Sequence, residues 1–264
     1  MSVVYSFRMT DERVSRTMNQ ILGFIIGISG GLLGGLVGVG GGIIMIPLMT
    51  KLAKLTQHQA HGTSLVAIVF TGLAGAVTYF LHGAVDWQAA LLLTVTAVFT
   101  ARYGALYAHS LPEKKLKKAF GIFLVSVSLL LLAKSTILGI SHRPVWWVKA
   151  VAYLLSGAVT GFLSGMMGVG GAGIMIPLMI LLAGMSQHLA QGTSLLVMAP
   201  VSLMGALTHY RLGNVQLNIV WGLVAGAISG GYLGATAANL LSGSILTIIF
   251  CGIGVWMGVR YVRA

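Results

Sequence analysis

Apolar residues run along this chain in long, nearly unbroken stretches, and polar residues collect in the short gaps between them. The stretches cover 21–50, 62–82, 87–110 and 119–140, then 147–183, 192–210, 215–241 and 244–259. A bilayer core of about 30 Å calls for about 20 helical residues at 1.5 Å each, and the last three stretches of each set have that length. The pattern predicts an all-α polytopic membrane protein with about eight hydrophobic segments by plain count. The first stretch of each set differs. In the earlier one Gly38, Gly40, Gly41 and Gly42 interrupt the run, and the eight residues from there to Lys51 include Pro47. Eight helical residues rise about 12 Å, too little to cross. The segment is therefore either one broken helix that crosses once or a re-entrant hairpin that dips in and returns.

A shift of 130 positions lays the second half of the chain over the first without a gap. Gly38-Val39-Gly40-Gly41 meets Gly168-Val169-Gly170-Gly171, and Ile44-Met45-Ile46-Pro47-Leu48-Met49 meets Ile174-Met175-Ile176-Pro177-Leu178-Met179. Gln57-His58 meets Gln187-His188, and Gly62-Thr63-Ser64-Leu65 meets Gly192-Thr193-Ser194-Leu195. The chain thus reads as an N-terminal segment at 1–20, a first transmembrane module at 21–140 and a second at 141–264, with the seam near Ser141 to Pro144.

Charge bears on the two readings of the broken stretch. If it crosses, an N-terminus held inside by Arg8, Arg13 and Arg16 leaves Lys114, Lys115, Lys117 and Lys118 outside, against the positive-inside rule. If it is re-entrant, those lysines fall inside together with Lys51, Lys54, Arg211, Arg260 and Arg263. Three crossings per module also invert the second copy, and charge then has to leave matching loops. Lys51 and Lys54 become Leu181 and Gly184, while Leu81 becomes Arg211. The preferred architecture is two homologous modules in inverted topology, each a glycine-broken re-entrant hairpin plus three transmembrane helices, with both termini in the cytoplasm. The expected location is a bacterial plasma or inner membrane.

Composition agrees: 57% of residues are hydrophobic and 8% charged, far too few charges to clothe a soluble globule. The net charge of +12 sets 16 Lys and Arg against Asp11, Glu12, Asp86 and Glu113. These basic residues are scattered among loops, where they suit anionic headgroups, and they lack the aromatic interleaving that tracks a nucleic-acid backbone. No nucleic-acid partner is expected. Cys251 stands alone, so neither a disulfide nor a thiolate metal site follows.

Irregular backbone at membrane depth is tolerated only against protein or a water-filled cavity, so two such breaks imply one central site. The arms beginning at Gly42 and Ala172 each present free N–H groups and about half a positive charge at a helix N-terminus. Gly40, Gly41 and Gly42, with Gly170 and Gly171, then let an oxyanion approach the backbone; otherwise they simply let helices touch. Thr63, Ser64, Thr193 and Ser194 open the next helix of each module, to cap it or to donate to a ligand. Arg102 is the formal charge set deepest in an apolar stretch, either a substrate contact or a side chain that snorkels to headgroups. Gln57, His58, Gln187 and His188, with Pro47 and Pro177, suit gating or packing. A metal is not expected, since His61 becomes Gln191 in the second copy and no carboxylate accompanies either site.

The duplicated Gly-Val-Gly-Gly break with its following proline and the Gly-Thr-Ser element resemble the TauE/SafE sulfite exporter family over roughly residues 21 to 260. The resemblance implies a membrane transporter of sulfite, sulfonates or related organosulfur acids, working by alternating access around a midplane site. An anion-conducting channel is the alternative. An enzyme is not expected: no carboxylate pair lies within the membrane, and no spacing supports Ser64 with His209, or Ser194 with His82, as nucleophile and base. A non-transporting scaffold also stands as an alternative. No cofactor is implied, the partners are a small anion and the bilayer, and the oligomeric state is left open.

The charge argument yields a direct topology test. In a Cys251→Ser background, a Lys115→Cys variant is expected to react with an impermeant thiol reagent only after the cytoplasmic side is opened. Labelling from outside intact cells would exclude cytoplasmic placement of that loop.

Overall fold

The protein is described here from a computed structural model, which covers residues 2–107, 118, 121–122, 125–126, 128–132, 145–168 and 170–263; side chains are described from residue 17 onward, Tyr261 apart. The seam at 141–144 and most of the four-lysine loop lie outside the described residues. Among the described residues the helices with defined bounds are, in order, α1 (Ser2–Val37), α2 (Gly42–Leu52), α3 (Gln57–Leu81), α4 (Trp87–Tyr107), α5 (Trp146–Met167), α6 (Ala172–Ala183), α7 (Gln187–Arg211), α8 (Leu217–Leu240) and α9 (Gly243–Arg263). The described residues between 118 and 132 are helical as well. Among the described residues seven helices are long and apolar enough to cross a membrane, and the short apolar ones are α2 and α6. Large apolar side chains such as Leu91, Phe99, Leu155, Trp146 and Trp221 are exposed, as a lipid-facing surface requires.

Glycine sets how closely the helices approach. Down α1, Gly23, Gly27, Gly31 and Gly35 meet in turn Ile219, Leu223, Ala227 and Gly231 of α8, so the two helices run parallel. From the other side Gly222, Gly226, Gly230 and Gly234 of α8 meet Gln20, Phe24, Ile28 and Leu32. Each of these contacts includes a backbone carbonyl at a distance no β-carbon tolerates. This is the small-xxx-small packing of membrane helices, used here by both partners at once. Helices α4 and α5 repeat it, with Gly157, Gly161 and Gly165 against Leu93, Ala97 and Ala101. The two interfaces are related by the 130-residue offset with the modules exchanged. Between them α3 and α7 cross antiparallel, since Gly72 meets Leu195 and Ala199 while Gly205 meets Leu65.

The glycine-broken stretches fold back on themselves. Gly30 lies against Gly41 and Met45, and Gly34 against Gly40 and Gly41, so α2 returns antiparallel along α1. In the second copy Gly171 lies against Thr160 and Ser164 of α5. The hairpin geometry agrees with the re-entrant reading, but the arms are unequal. Thr17–Val37 and Trp146–Met167, at 21 and 22 residues, are each of spanning length, where the hydrophobic pattern predicts six full crossings. The helix before each break is continuous and starts well upstream, while the returning arms of 11 and 12 residues are the ones too short to cross. A second difference concerns α3 and α7. They begin at Gln57 and Gln187, five residues before the Gly-Thr-Ser elements expected to open them, because Thr56 and Gln59 form a capping box and Ser186 caps α7 through the Leu189 N–H.

The close approach predicts a sharp positional contrast. A side chain on Gly31 would begin 2.7 Å from the Ala227 carbonyl oxygen, whereas one on the exposed Gly252 meets nothing within 4 Å among the described residues. Gly31→Leu is expected to lower stability by about 1–3 kcal/mol or more through overpacking, and Gly252→Leu to leave the melting temperature in detergent nearly unchanged.

Candidate functional site

The two breaks come together at the centre of the molecule. Gly38, Gly40, Gly41 and their counterparts Gly168, Gly170, Gly171 all have positive φ, between 65° and 86°, a region in which a β-carbon is disfavoured. Gly41 and Gly171 are the N-caps of α2 and α6, and neither helix has a side-chain cap. Its first turn is closed by the N–H groups of Ile44 and Ile174, which bond to the carbonyls of Gly41 and Gly171. A side chain on Gly170 would begin 3.3 Å from the Val39 carbonyl oxygen, so the tips touch. Between them lie Met198 of α7 and Ile68 of α3, which are equivalent positions in the two modules. A side chain at Gly40 or Gly170 would run into the Met198 methyl group.

Each tip is held by the opposite module. The Ser194 hydroxyl shares its hydrogen between the Gln191 carbonyl in its own helix and the Gly38 carbonyl at the first tip, both at 2.8 Å. Ser64 does the same with His61 and Gly168, at 2.8 and 2.9 Å. The neighbouring threonines accept rather than donate. Thr63 Oγ1 takes the Gln216 N–H at 3.0 Å, and Thr193 Oγ1 takes the Asp86 N–H at 2.9 Å. Asp86 in turn caps α4 through the Ala89 N–H. All four hydroxyl residues are fully buried. In this conformation they bind the modules to one another.

A further pair of contacts braces each hairpin's long arm. The Tyr79 hydroxyl donates to Gln191 Oε1 at 3.0 Å and lies 3.4 Å from the Gly35 carbonyl. At the equivalent place His209 Nε2 lies 3.2 Å from the Gly165 carbonyl. The copies differ most on the face of the long arm that looks at the tip. Gly30 and Gly34 in the first are Thr160 and Ser164 in the second, both fully buried with hydroxyls that meet no hydrogen-bond partner among the described residues.

Gly40, Gly41, Gly42, Gly170 and Gly171 thus gather at one centre, with Ser64 and Ser194 one hydrogen bond away and the threonines just outside. Arg102 is not brought there. It lies exposed on the outer face of α4, five residues from that helix's end at Tyr107. Pro47 and Pro177 lie inside α2 and α6. Gln57 reaches His61, Gln187 Oε1 accepts from Thr247 of α9, and His188 Nε2 meets the Ala238 and Leu241 carbonyls at the end of α8. His58 is half-buried in the first turn of α3. Ile68, Met198, Tyr79, Thr160 and Ser164 are not singled out by the sequence reading, and His209 enters it only as a rejected base for Ser64. Ile68 and Met198 are apolar residues in apolar runs and carry no signal. The replacement of Gly30 and Gly34 by hydroxyl residues was visible in the offset comparison.

Together these features define a multi-pass α-helical membrane protein built around paired broken helices. The chain belongs to the sulfite exporter TauE/SafE family, whose model matches residues 21–261. It is 28% identical to the probable membrane transporter protein YunE of Bacillus subtilis (strain 168), over 93% of this chain and 98% of that one. It is 30% identical to a probable membrane transporter protein of Xylella fastidiosa (strain Temecula1), over 85% of this chain and 84% of the relative. A probable membrane transporter protein of Methanocaldococcus jannaschii is 29% identical, over 74% of this chain and 72% of its own length. No solved structure matches significantly. The family and these relatives make the coarse function that of a membrane transporter.

The serine ties predict matched losses. Ser64→Ala and Ser194→Ala each strip a buried tip carbonyl of its cross-module bond and are expected to cost about 1 kcal/mol or somewhat more, measured as thermal stability of the purified protein. Equal stability of both variants and the parent would show that the ties contribute nothing.

Proposed function

We propose that the protein carries small anions, a sulfur oxyanion or a sulfonate, by alternating access around the point where the two hairpin tips meet. The observation that carries this reading is the convergence of two helix N-termini, Gly42 of α2 and Ala172 of α6, on one buried spot free of carboxylates among the described residues. Each such end offers N–H donors and about half a positive charge, and broken helices in transporters use these ends to hold anionic groups. Oxygens of a tetrahedral or pyramidal anion are pure acceptors and suit a lining of donors. The backbones of Gly40, Gly41, Gly42, Gly170 and Gly171 are the contacts in this reading. Ser64 and Ser194 hold the tips and release them as the site opens, while Thr63 and Thr193 fasten the neighbouring loops at Gln216 and Asp86.

Packing at the centre favours a carrier over a permanent pore. Met198 and Ile68 fill the space between the tips, so an anion has to displace them, and flux then requires a conformational cycle. The exchanged contacts of the modules suit such a cycle in an inverted repeat, where one half rocks against the other. The relatives are described only as membrane transporters, and the family's description names sulfite; the narrowing to organosulfur anions rests on that description and on the electrostatics of the tips.

Flux of labelled sulfite or sulfoacetate into proteoliposomes is expected to saturate, and each anion to inhibit the other, while an amine or a sugar does not compete. Gly40→Leu and Gly170→Leu should abolish binding in protein that still inserts. Transport of a cation or neutral solute with no inhibition by any oxyanion would refute the reading.

A further inference from the structure

A hydroxyl buried on a membrane helix has a cheap way to satisfy itself, by bonding back to the carbonyl three or four residues earlier. Thr71 and Thr78 of α3 and Thr208 of α7 do so, toward Ala67, Ala74 and Met204. Thr160 and Ser164 of α5 and Ser202 of α7 do not. All three are fully buried, and their hydroxyls meet no hydrogen-bond partner among the described residues. At the 130-residue offset they stand where the first module has Gly30, Gly34 and Gly72. Each exchange of glycine for a hydroxyl residue adds a buried polar group, and leaving it unmet costs about 1–3 kcal/mol. The second module thus holds donors that its own fold does not use.

Two of these residues stand at the N-terminus of α6. A side chain on Gly171, the N-cap of that helix, would begin 2.5 Å from Thr160 Cγ2 and 3.1 Å from Ser164 Cβ. The Ser164 hydroxyl is one bond beyond the atom in contact, and the Thr160 hydroxyl shares its Cβ with the methyl in contact. No side chain caps this end. The N–H groups of Ile174 and Met175 close on the Gly171 carbonyl, and helix geometry leaves those of Ala172 and Gly173 without an intrahelical acceptor. Amide donors, the positive end of the helix dipole and two unpaired hydroxyls therefore share one buried place. The first tip has no such set. Gly34 there lies directly against the backbone of Gly40 and Gly41, and the Met45 side chain fills the space beside Gly30.

We propose that the anion is held chiefly at the second tip, where its oxygens accept hydrogen bonds from the Ser164 and Thr160 hydroxyls and from the first-turn N–H groups of α6, while the first tip contributes backbone alone. The inference rests on the anion reading above and makes its site unequal. The three oxygens of sulfite or of a sulfonate head are separate acceptors, enough to engage both hydroxyls and an amide at once. Neither hydroxyl gives up a protein partner to make its bond, so little of the gain is lost to a broken contact. The cost of an unmet donor falls on the empty protein, and the bound anion relieves it.

The test measures binding of methanesulfonate and of sulfite to the full-length protein in nanodiscs by calorimetry. Ser164→Ala and Thr160→Val are each expected to weaken binding by about tenfold or more, the worth of one hydrogen bond to a charged group. Both should leave the melting temperature of the ligand-free protein at or above the parent's, because an apolar group replaces an unmet hydroxyl of similar shape. That is the opposite of the loss expected for Ser64→Ala and Ser194→Ala. Thr160→Ser keeps the hydroxyl and drops the methyl, and should bind as the parent does. Thr71→Val removes a hydroxyl already bonded to Ala67, matches Val201 of the second copy, and should leave affinity unchanged. Parent-like affinity in both Ser164→Ala and Thr160→Val would show that the hydroxyls serve packing or an ordered water, and would overturn the seat while leaving an anion site at the tips standing. Failure of the folded parent to bind either anion would overturn both.

Discussion

Backbone left unpaired inside an apolar medium is the constraint on which this architecture turns. Each hairpin tip places several peptide groups where neither helix geometry nor water satisfies them, and each unmet group costs on the order of a few kcal/mol. The answer is reciprocal: Ser194 of the second module holds the Gly38 carbonyl of the first, and Ser64 of the first holds Gly168 of the second. Neither tip is completed by its own module. That dependence explains why the α3–α7 crossing sits between the tips, and why Thr63 and Thr193 fasten the loops that enter α8 and α4.

Close helix approach serves the same end. The parallel pairs α1–α8 and α4–α5 meet through glycines at every turn, with carbonyl oxygens against α-carbons. In lipid there is no hydrophobic drive between helices, so contact density has to supply the attraction, and glycine is the residue that raises it. These pairs again join one module to the other. The result is a frame of two tight interfaces around a centre whose contacts are few and local: two serine hydroxyls, a methionine methyl and an isoleucine. A substrate that binds there can move the centre without unmaking the frame.

Duplication fixes the frame, and divergence gives the two halves different chemistry. The first tip is lined by Gly30 and Gly34 and braced by Tyr79 and Gln191. The second has the hydroxyls of Thr160 and Ser164, with His209 against the Gly165 carbonyl. These substitutions are where the two halves depart from equivalence.

Membrane class, duplication and the breaks themselves were legible along the chain, because apolar length, glycine spacing and a constant offset are one-dimensional properties. So was the shortness of the arms after Gly42 and Ala172, since rise per residue is fixed. Helix starts were less so: Thr56 with Gln59 is a capping signal in plain sight, but the repeat drew attention to Gly62-Thr63-Ser64 five residues on. The partners of Ser64 and Ser194 lie 104 and 156 positions away, and no local pattern announces a bond across the module boundary. Arg102 shows the same limit from the other side, for depth along α4 said nothing about which face the guanidinium takes, and packing against α5 turned it outward. The sequence alone determined which residues break the helices; only the tertiary structure decided that the two breaks meet and that each is held by the other half, because that follows from how helices pack in three dimensions.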